Sequence, residues 1–227
     1  MDESFDHHVH IGQWQDRYFS AKGVFTNLQQ QGKVGCNFMS TTSCGTLHPD
    51  DKNEIISLYE KVRDEVKDAL LTVNELRFDA KAYYWVVPLF HLSGISFEQV
   101  FSELPEYCGL KIHPRSHNWN PEIPERAELL TQTFEFADKH NLPVILHTGV
   151  SDDDSPCLYE KWYKDFPAVK VTLAHCRNLK EVLYLFDNYP HLNGDTAFIP
   201  QENLEYLLKN GYEKRLVYGS DYPINKS

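Results

Sequence analysis

The sequence predicts an α/β protein built as a (β/α)8 TIM barrel, and three observations lead there. Eight short β-like runs alternate with helix-like stretches along the whole chain, with no break in composition between them. Polar and ionisable residues gather at the C-terminal ends of those runs, where barrel enzymes keep their working groups. The length of 227 residues suits one such barrel, so a single domain over residues 1–227 is expected.

The first strand is expected over residues 4–10, followed by a polar stretch of weak helical character over 14–31. Residues 33–42 read as the second strand. A turn through 47–50 leads, with Asp50 or Asp51 as cap, into an amphipathic helix. Its apolar residues Ile55, Leu58, Tyr59, Val62, Val66, Ala69 and Leu70 recur at three- and four-residue spacing. The third strand, 83–90, is rich in aromatic and β-branched residues. Ser96 and Gln99 form a capping-box pattern that opens a short helix to about Leu104. The fourth strand is expected over 108–113, then a loop over 114–124 and a helix over 125–140. Residues 143–148 form the fifth strand, and Ser155-Pro156 head a helix to about Phe166. The sixth strand, 170–176, precedes a helix over 178–188 capped by Asn178. A weaker seventh strand over 192–198 precedes a helix over 200–210 that Gly211 closes. Residues 215–222 form the eighth strand. The chain stops soon afterwards, before the usual eighth helix: either the tail is not included or a neighbouring subunit covers that gap. A doubly wound open sheet is the competing architecture, but no Gly-rich phosphate loop follows the first strand.

The formal net charge of −11 argues against nucleic acid or an anionic membrane as partner. No run approaches the roughly 18–20 apolar residues of a membrane span. No basic segment followed by an apolar one marks a secretory signal. The five cysteines are scattered and never spaced Cys-x-x-Cys, which fits reduced thiols and a cytoplasmic location. Eleven histidines are many for this length, and their placement says more than their number.

Side chains in a strand alternate faces with period two. Over the first strand this puts Asp6, His8 and His10 on one face and Phe5, His7 and Val9 on the other. Two imidazoles two residues apart on one face can take the same metal ion. Taken alone, His-x-His is a weak signal. The fourth strand, however, ends in Lys111 and His113, the fifth in His147, the sixth in His175 and the eighth in Asp221, with Asp195 on the seventh. Chance would scatter such residues through loops and helices.

Other residues have plainer readings. His7 faces the helix layer by parity, and Asp6 and Asp195 either orient a histidine or fill the barrel. His48, His91 and His117 lie in loops on the active-site side, while His140 and His191 are surface residues. Residues 115–120 are the expected lid, with Trp119 as an apolar wall. Asp152, Asp153 and Asp154 form a solvated loop, and Tyr83, Tyr84 and Trp85 pack the core.

Five segments in order, FDHHVHIG, GLKIHP, VILHTG, TLAHC and VYGSDYP, resemble the amidohydrolase superfamily. More narrowly they resemble the amidohydrolase-2 branch, which holds aminocarboxymuconate semialdehyde decarboxylase, resorcylate decarboxylases and sugar-acid lactonases. The resemblance implies that His8, His10, His147 and Asp221 ligate one divalent metal and that His175 is the catalytic imidazole. Zinc suits three imidazoles and a carboxylate, with manganese or cobalt as alternatives. A second ion bridged by a carboxylated Lys111 is the less favoured arrangement. Asp221 doubles as a catalytic group able to accept and pass on a proton.

The sixth-strand motif departs from the family by carrying Arg177 where small residues usually follow. Arg177 either binds a substrate carboxylate or pairs on the rim. With Lys111, His113 and Arg115 it makes the expected substrate-binding set, and a small anionic molecule the expected substrate. The first functional reading is hydrolysis of an amide, ester or lactone by metal-activated water. The alternative is metal-dependent, non-oxidative decarboxylation of an aromatic or unsaturated acid. A metal-binding barrel without activity is the reading outside enzymology. A homo-oligomer stays open, because a neighbouring subunit could cover the place of the missing helix.

Overall fold

Eight parallel strands curl round until the last meets the first. The computed structural model describes residues 2–45 and 51–226. Strand β1 (Phe5–Trp14) turns back into a short antiparallel β2 (Arg17–Phe19), and helix α1 (Ala21–Gln30) follows with Ser20 accepting from the Gly23 N–H. Next come β3 (Gly35–Ser40) and a 3-10 turn over Thr42–Gly45. Helix α2 (Lys52–Leu76) begins at Asp51, whose side chain accepts from Asn53 N–H. Strand β4 (Asp79–Trp85) leads to α3 (Pro88–Leu92) and α4 (Phe97–Glu103), then β5 (Tyr107–Ile112), α5 (Pro114–His117) and α6 (Pro124–His140). Strand β6 (Val144–His147) is followed by a 3-10 turn (Pro156–Tyr159) and α7 (Glu160–Asp165). The remainder is β7 (Val171–Ala174), α8 (Leu179–Asn188), β8 (Leu192–Asp195), α9 (Gln201–Lys209) and β9 (Leu216–Val217). A 3-10 turn over Ile224–Lys226 is the last described element, and no helix follows β9 among the described residues.

The sheet runs β2-β1-β3-β4-β5-β6-β7-β8-β9. The seam between β9 and β1 closes through three backbone hydrogen bonds: His7 N to Tyr218 O at 2.9 Å, His10 N to Tyr222 O at 2.8 Å and Asp221 N to His8 O at 2.8 Å. Gly219 makes this approach possible. A Cβ there would stand 2.9 Å from the His8 Cβ and 3.3 Å from the Asp195 Cβ. Outside the barrel, Phe38, Tyr84, Leu110, Leu146 and Leu173 pack under the helices in the main core. Inside it, Met39, Tyr83, Trp85, Ile145 and Ala174 form a smaller cluster that floors the site. Gly109 leaves the space that the Tyr83 ring fills. None of the described helices is long and apolar enough to cross a membrane.

Several sequence expectations need correction. The stretch 14–31 is not one weak helix: a hairpin strand comes first and the helix starts only after Ser20. The third strand stops at Trp85 rather than at 90, because Pro88, with its fixed φ and no N–H, starts α3. The loop 114–124 contains one helical turn, where His113 Nδ1 accepts from Ser116 N–H at 3.2 Å. The seventh and eighth strands are shorter than expected, and Tyr222 joins the sheet only through a bridge to Val9. Asp154 is buried, not solvated, and accepts from Ser151 N–H at 2.9 Å. Expectations for His48 and Asp50 fall outside the described residues.

The parity of the first strand also fails. The pairing of β1 with β3 slips between Asp6 and Val9, a β-bulge. His7 therefore turns inward with His8, and its Nδ1 lies 3.3 Å from Asn37 Nδ2, which donates to Tyr83 OH inside the barrel. Asp6 lies opposite Cys36, which packs in the outer core, so it does not share a face with His8 and His10.

Candidate active site

At the C-terminal mouth of the barrel, β1, β8 and β9 bring together a network of imidazoles and carboxylates. Asp221 Oδ1 lies 2.7 Å from His10 Nε2 and 3.2 Å from His8 Nε2. On its other edge His8 Nδ1 meets Asp195 Oδ2 at 2.7 Å. Lys111 reaches across from β5 and places Nζ 3.1 Å from His8 Nε2. All five side chains are buried. Asp6 ties the seam from behind, accepting from His8 N–H at 3.1 Å, Ser220 N–H at 3.0 Å and the Ser220 hydroxyl at 2.6 Å.

The opposite side of the mouth is made of rings. His113 and His147 stack at 3.8 Å between centroids with planes 15° apart. Trp85 continues the column at 5.9 Å from His113 and also lies 5.5 Å from His10. His175 stands edge-on to His147, its Nε2 2.9 Å from His147 Nδ1. The carbonyl of Ala197, 2.8 Å from His175 Nδ1, can only accept, so that nitrogen carries the proton. With His175 neutral, its Nε2 accepts from His147 Nδ1–H, and the Nε2 of His147 keeps a free lone pair.

Burial sets the charge states. It pushes His10 down to about 4 and His175 down to about 3, against the opposing pull of Asp221 and Asp195. His113 and His147 are pushed well below the ordinary histidine range, first by burial and then by neighbouring cations. Burial also lowers Lys111 to about 8, although Asp195 and Asp221 pull the other way. For Asp221 burial pushes upward, but the adjacent His8 and His10 outweigh it and hold the carboxyl well below its usual value. His10 and His147 are thereby held neutral and Asp221 ionised, the forms that bind metal.

One ligand atom from each of His8, His10 and Asp221 falls within 4.8 Å of the others. With the His8 proton on Nδ1 towards Asp195, His8 Nε2 and Asp221 Oδ1 are two acceptors facing each other. A cation between them resolves that opposition, so the donor set fits a divalent ion. His8, His175 and Asp195 form a second such group, but its atoms are already engaged in the hydrogen bonds just described.

A cavity of about 190 Å³ opens on this network, lined by His8, His10, Lys111, His113, His147, His175, Arg177 and Asp221. Sequence reasoning missed four further lining residues, Trp14, Trp85, Phe198 and Ile224. Trp85 was legible as a β-strand aromatic but read as core, and nothing in the sequence marked Phe198. The Phe198 ring lies 5.6 Å from the Arg177 guanidinium. Arg115 is not brought to the cavity. It is exposed, lies 3.6 Å from Asp153 and lines a separate cleft with Asn118 and Trp119. Trp119 is buried, donating to Val86 O at 3.3 Å. His91 and His117 pack against Tyr84 and Ser43 respectively, away from the cavity.

Residues 85–227 match the sequence model of the Amidohydro_2 family, described as amidohydrolase. The chain belongs to the amidohydrolase family. Its members and structural neighbours include metal-dependent hydrolase-like enzymes and decarboxylases. No curated protein sequence matches it. Among solved structures, an amidohydrolase II superposes with a TM-score of 0.65 at 14% identity, covering 96% of this chain and 87% of that one. The 5-carboxyvanillate decarboxylase of Sphingomonas paucimobilis gives 0.65 at 12% identity, with 97% and 88% covered. A dihydroxybenzoic acid decarboxylase from a Polaromonas species, holding manganese and 2-nitroresorcinol, gives 0.61 at 12% identity, with 98% and 87% covered. At these identities the likeness is one of fold, that of the TIM-barrel amidohydrolases.

Proposed function

We propose that this amidohydrolase-family chain removes carbon dioxide from a small, flat aromatic or unsaturated carboxylic acid. The observation that carries the reading is the cavity itself. Stacked ring faces form one side, Lys111 and Arg177 supply positive charge, and about 190 Å³ is available. That is below the usual ligand-pocket range of about 300–1,000 Å³. Ring faces favour a planar π-system. Arg and Lys favour a carboxylate, Arg through a planar bidentate fork. The fold neighbours that act on 5-carboxyvanillate and dihydroxybenzoates support the same class.

His8, His10 and Asp221 would hold the ion, with His147 Nε2 as a further donor. Zinc suits those donors, and manganese is the ion in the Polaromonas neighbour. A bound divalent ion supplies Lewis-acid polarisation of a substrate oxygen. Lys111 and Arg177 draw the carboxylate in, while Trp85 and the His113–His147 stack hold the ring flat and keep water out. When the bond to the carboxyl carbon breaks, the ring carbon keeps the electron pair and takes one proton. Neither His175 Nε2 nor Asp221 carries that proton at rest; as bases lining the cavity they would take it from water or from a hydroxyl of the substrate and pass it to the ring carbon. The five cysteines form no disulfide, which suits a reducing, cytoplasmic setting.

Hydrolysis of an amide, ester or lactone is the second reading, and one observation favours it. Ionised Asp221, beside two imidazoles, is able to accept the proton of an attacking water. One assay separates the two. The metal-loaded protein is offered hydroxybenzoates, unsaturated acids, lactones and amides, with released carbon dioxide and acid titre both followed. Carbon dioxide from an acid supports decarboxylation; acid release from lactones or amides without it overturns that reading in favour of hydrolysis.

A further inference from the structure

Behind His8 sits a carboxylate that the reaction above does not use. Asp195, at the end of β8, is 1% exposed and bonded through both oxygens. Its Oδ2 lies 2.7 Å from His8 Nδ1. Its Oδ1 accepts from the backbone N–H of His175 at 2.9 Å and of Ala197 at 3.1 Å. The first of these donors belongs to a strained turn, since His175 and Cys176 take φ of +76° and +41°. Left-handed backbone is unfavourable for an L-residue and persists only where the surroundings impose it.

We propose that Asp195 is a positioning residue for both halves of the site. One oxygen fixes the His8 proton on Nδ1, which keeps the Nε2 lone pair turned towards the metal position. The other oxygen holds the turn that carries His175. The argument is one of donors and acceptors. An ionised carboxylate only accepts, so an imidazole 2.7 Å away must present Nδ1–H, which leaves Nε2, 3.1 Å from Lys111 Nζ, to face the metal position. The His8, His175 and Asp195 group is then a hydrogen-bonded scaffold and not a second ion site.

Asp195→Asn separates the two duties. Its amide oxygen can still accept from His175 and Ala197, but its NH2 then faces His8 Nδ1. The flipped amide would aim donors at two backbone N–H groups, so the first orientation wins. His8 Nδ1 must then accept, and the proton moves to Nε2.

The test uses long-range proton–nitrogen correlation spectra of labelled histidines in metal-stripped protein, together with titration of Zn²⁺. Wild type is expected to show His8 protonated on Nδ1. Asp195→Asn is expected to show His8 protonated on Nε2 and to lose about 10–100-fold in Zn²⁺ affinity, with its unfolding temperature close to wild type. A wild-type His8 protonated on Nε2 overturns the proposal, as does an Asp195→Asn protein with unchanged tautomer and Zn²⁺ affinity. If that variant does not fold, the wild-type tautomer alone decides. The affinity measurement rests on the proposed metal-dependent function, whereas the tautomer does not. Failure of wild type to bind any divalent ion would sink that function and leave this inference to be judged by the spectra.

Discussion

The two walls of the cavity are built on different physics. On the side of β1, β8 and β9, His8, His10, Asp195 and Asp221 are held by short, directional, charge-assisted hydrogen bonds. On the side of β4, β5 and β6, Trp85, His113 and His147 are held by ring stacking. In the first wall the position of one proton decides what each atom can bind. The second asks only that a flat ring of the right size be present. The polar wall should therefore fail abruptly when one atom is exchanged, and the ring wall should degrade by steps.

The sharpest break is Asp221→Asn. It keeps the shape but removes the charge that holds two imidazoles in place. We expect metal affinity to fall by more than the ~100-fold upper end of outer-partner losses, and turnover to fall with it. Metal analysis after dialysis checks this, and a variant that keeps its ion removes Asp221 from the ligand set. His175→Asn should act differently: metal content stays, and turnover drops about 10²–10⁴-fold, as for loss of a proton-transferring group. Unaltered turnover would end the role given to His175.

His147 stands where the walls meet, in the ring column and with a free Nε2 lone pair. His147→Phe keeps the stacking surface and deletes that lone pair. An at least tenfold loss of metal affinity, measured by calorimetry, is expected for a ligand. Unchanged affinity would assign His147 to the ring wall alone. Arg177→Gln probes the rim, where the guanidinium lies near the Phe198 ring. A charged hydrogen bond is worth about 1.5–3 kcal/mol, so KM for an acidic substrate should rise roughly 10–150-fold with kcat little changed. Equal losses in both constants would show that Arg177 acts on the reacting atoms instead.

The same contrast explains what could be read from the chain. His8, His10, Lys111, His147, His175 and Asp221 were legible because polar residues at the ends of apolar β-runs have no packing reason to be there. The faces of His7 and Asp6 were not, because the bulge between Asp6 and Val9 is a backbone event that no residue type announces. Arg115 looked equivalent to Arg177, each following a strand-end histidine. A one-turn helix over Pro114–His117 leaves Arg115 exposed, whereas Arg177 lines the cavity. The eighth strand stops at Val217 because the residues after it pair with β1 only sparsely, through Tyr218, Asp221 and Tyr222, and Asp221 takes a left-handed φ of +59°. Trp85 is visible as a strand residue, but that it walls the cavity is set by the closure of the barrel.

A half-buried histidine outside both walls supplies the smallest expected effect and a control on the rest. His91, on α3, stacks on Phe97 at 4.1 Å and meets Tyr84 OH through Nε2 at 3.0 Å. Burial pushes its pKa down to about 4 from the ordinary histidine value of about 6.5. The unfolded chain therefore binds a proton between these two values that the folded chain refuses. Stability is fully present above about pH 6.5 and is lost as pH falls towards 4. The upper bound on the loss is about 3 kcal/mol at ~1.36 kcal/mol per pH unit. His91→Phe keeps the stack and removes the titration, so its urea midpoint should fall less steeply than wild type's between pH 6.5 and 4. Because His91 touches no proposed ligand, metal affinity at pH 7.5 should not change. If the acid limb keeps its slope, the loss belongs to the buried histidines of the site, and the polar wall sets the acid stability of the whole barrel.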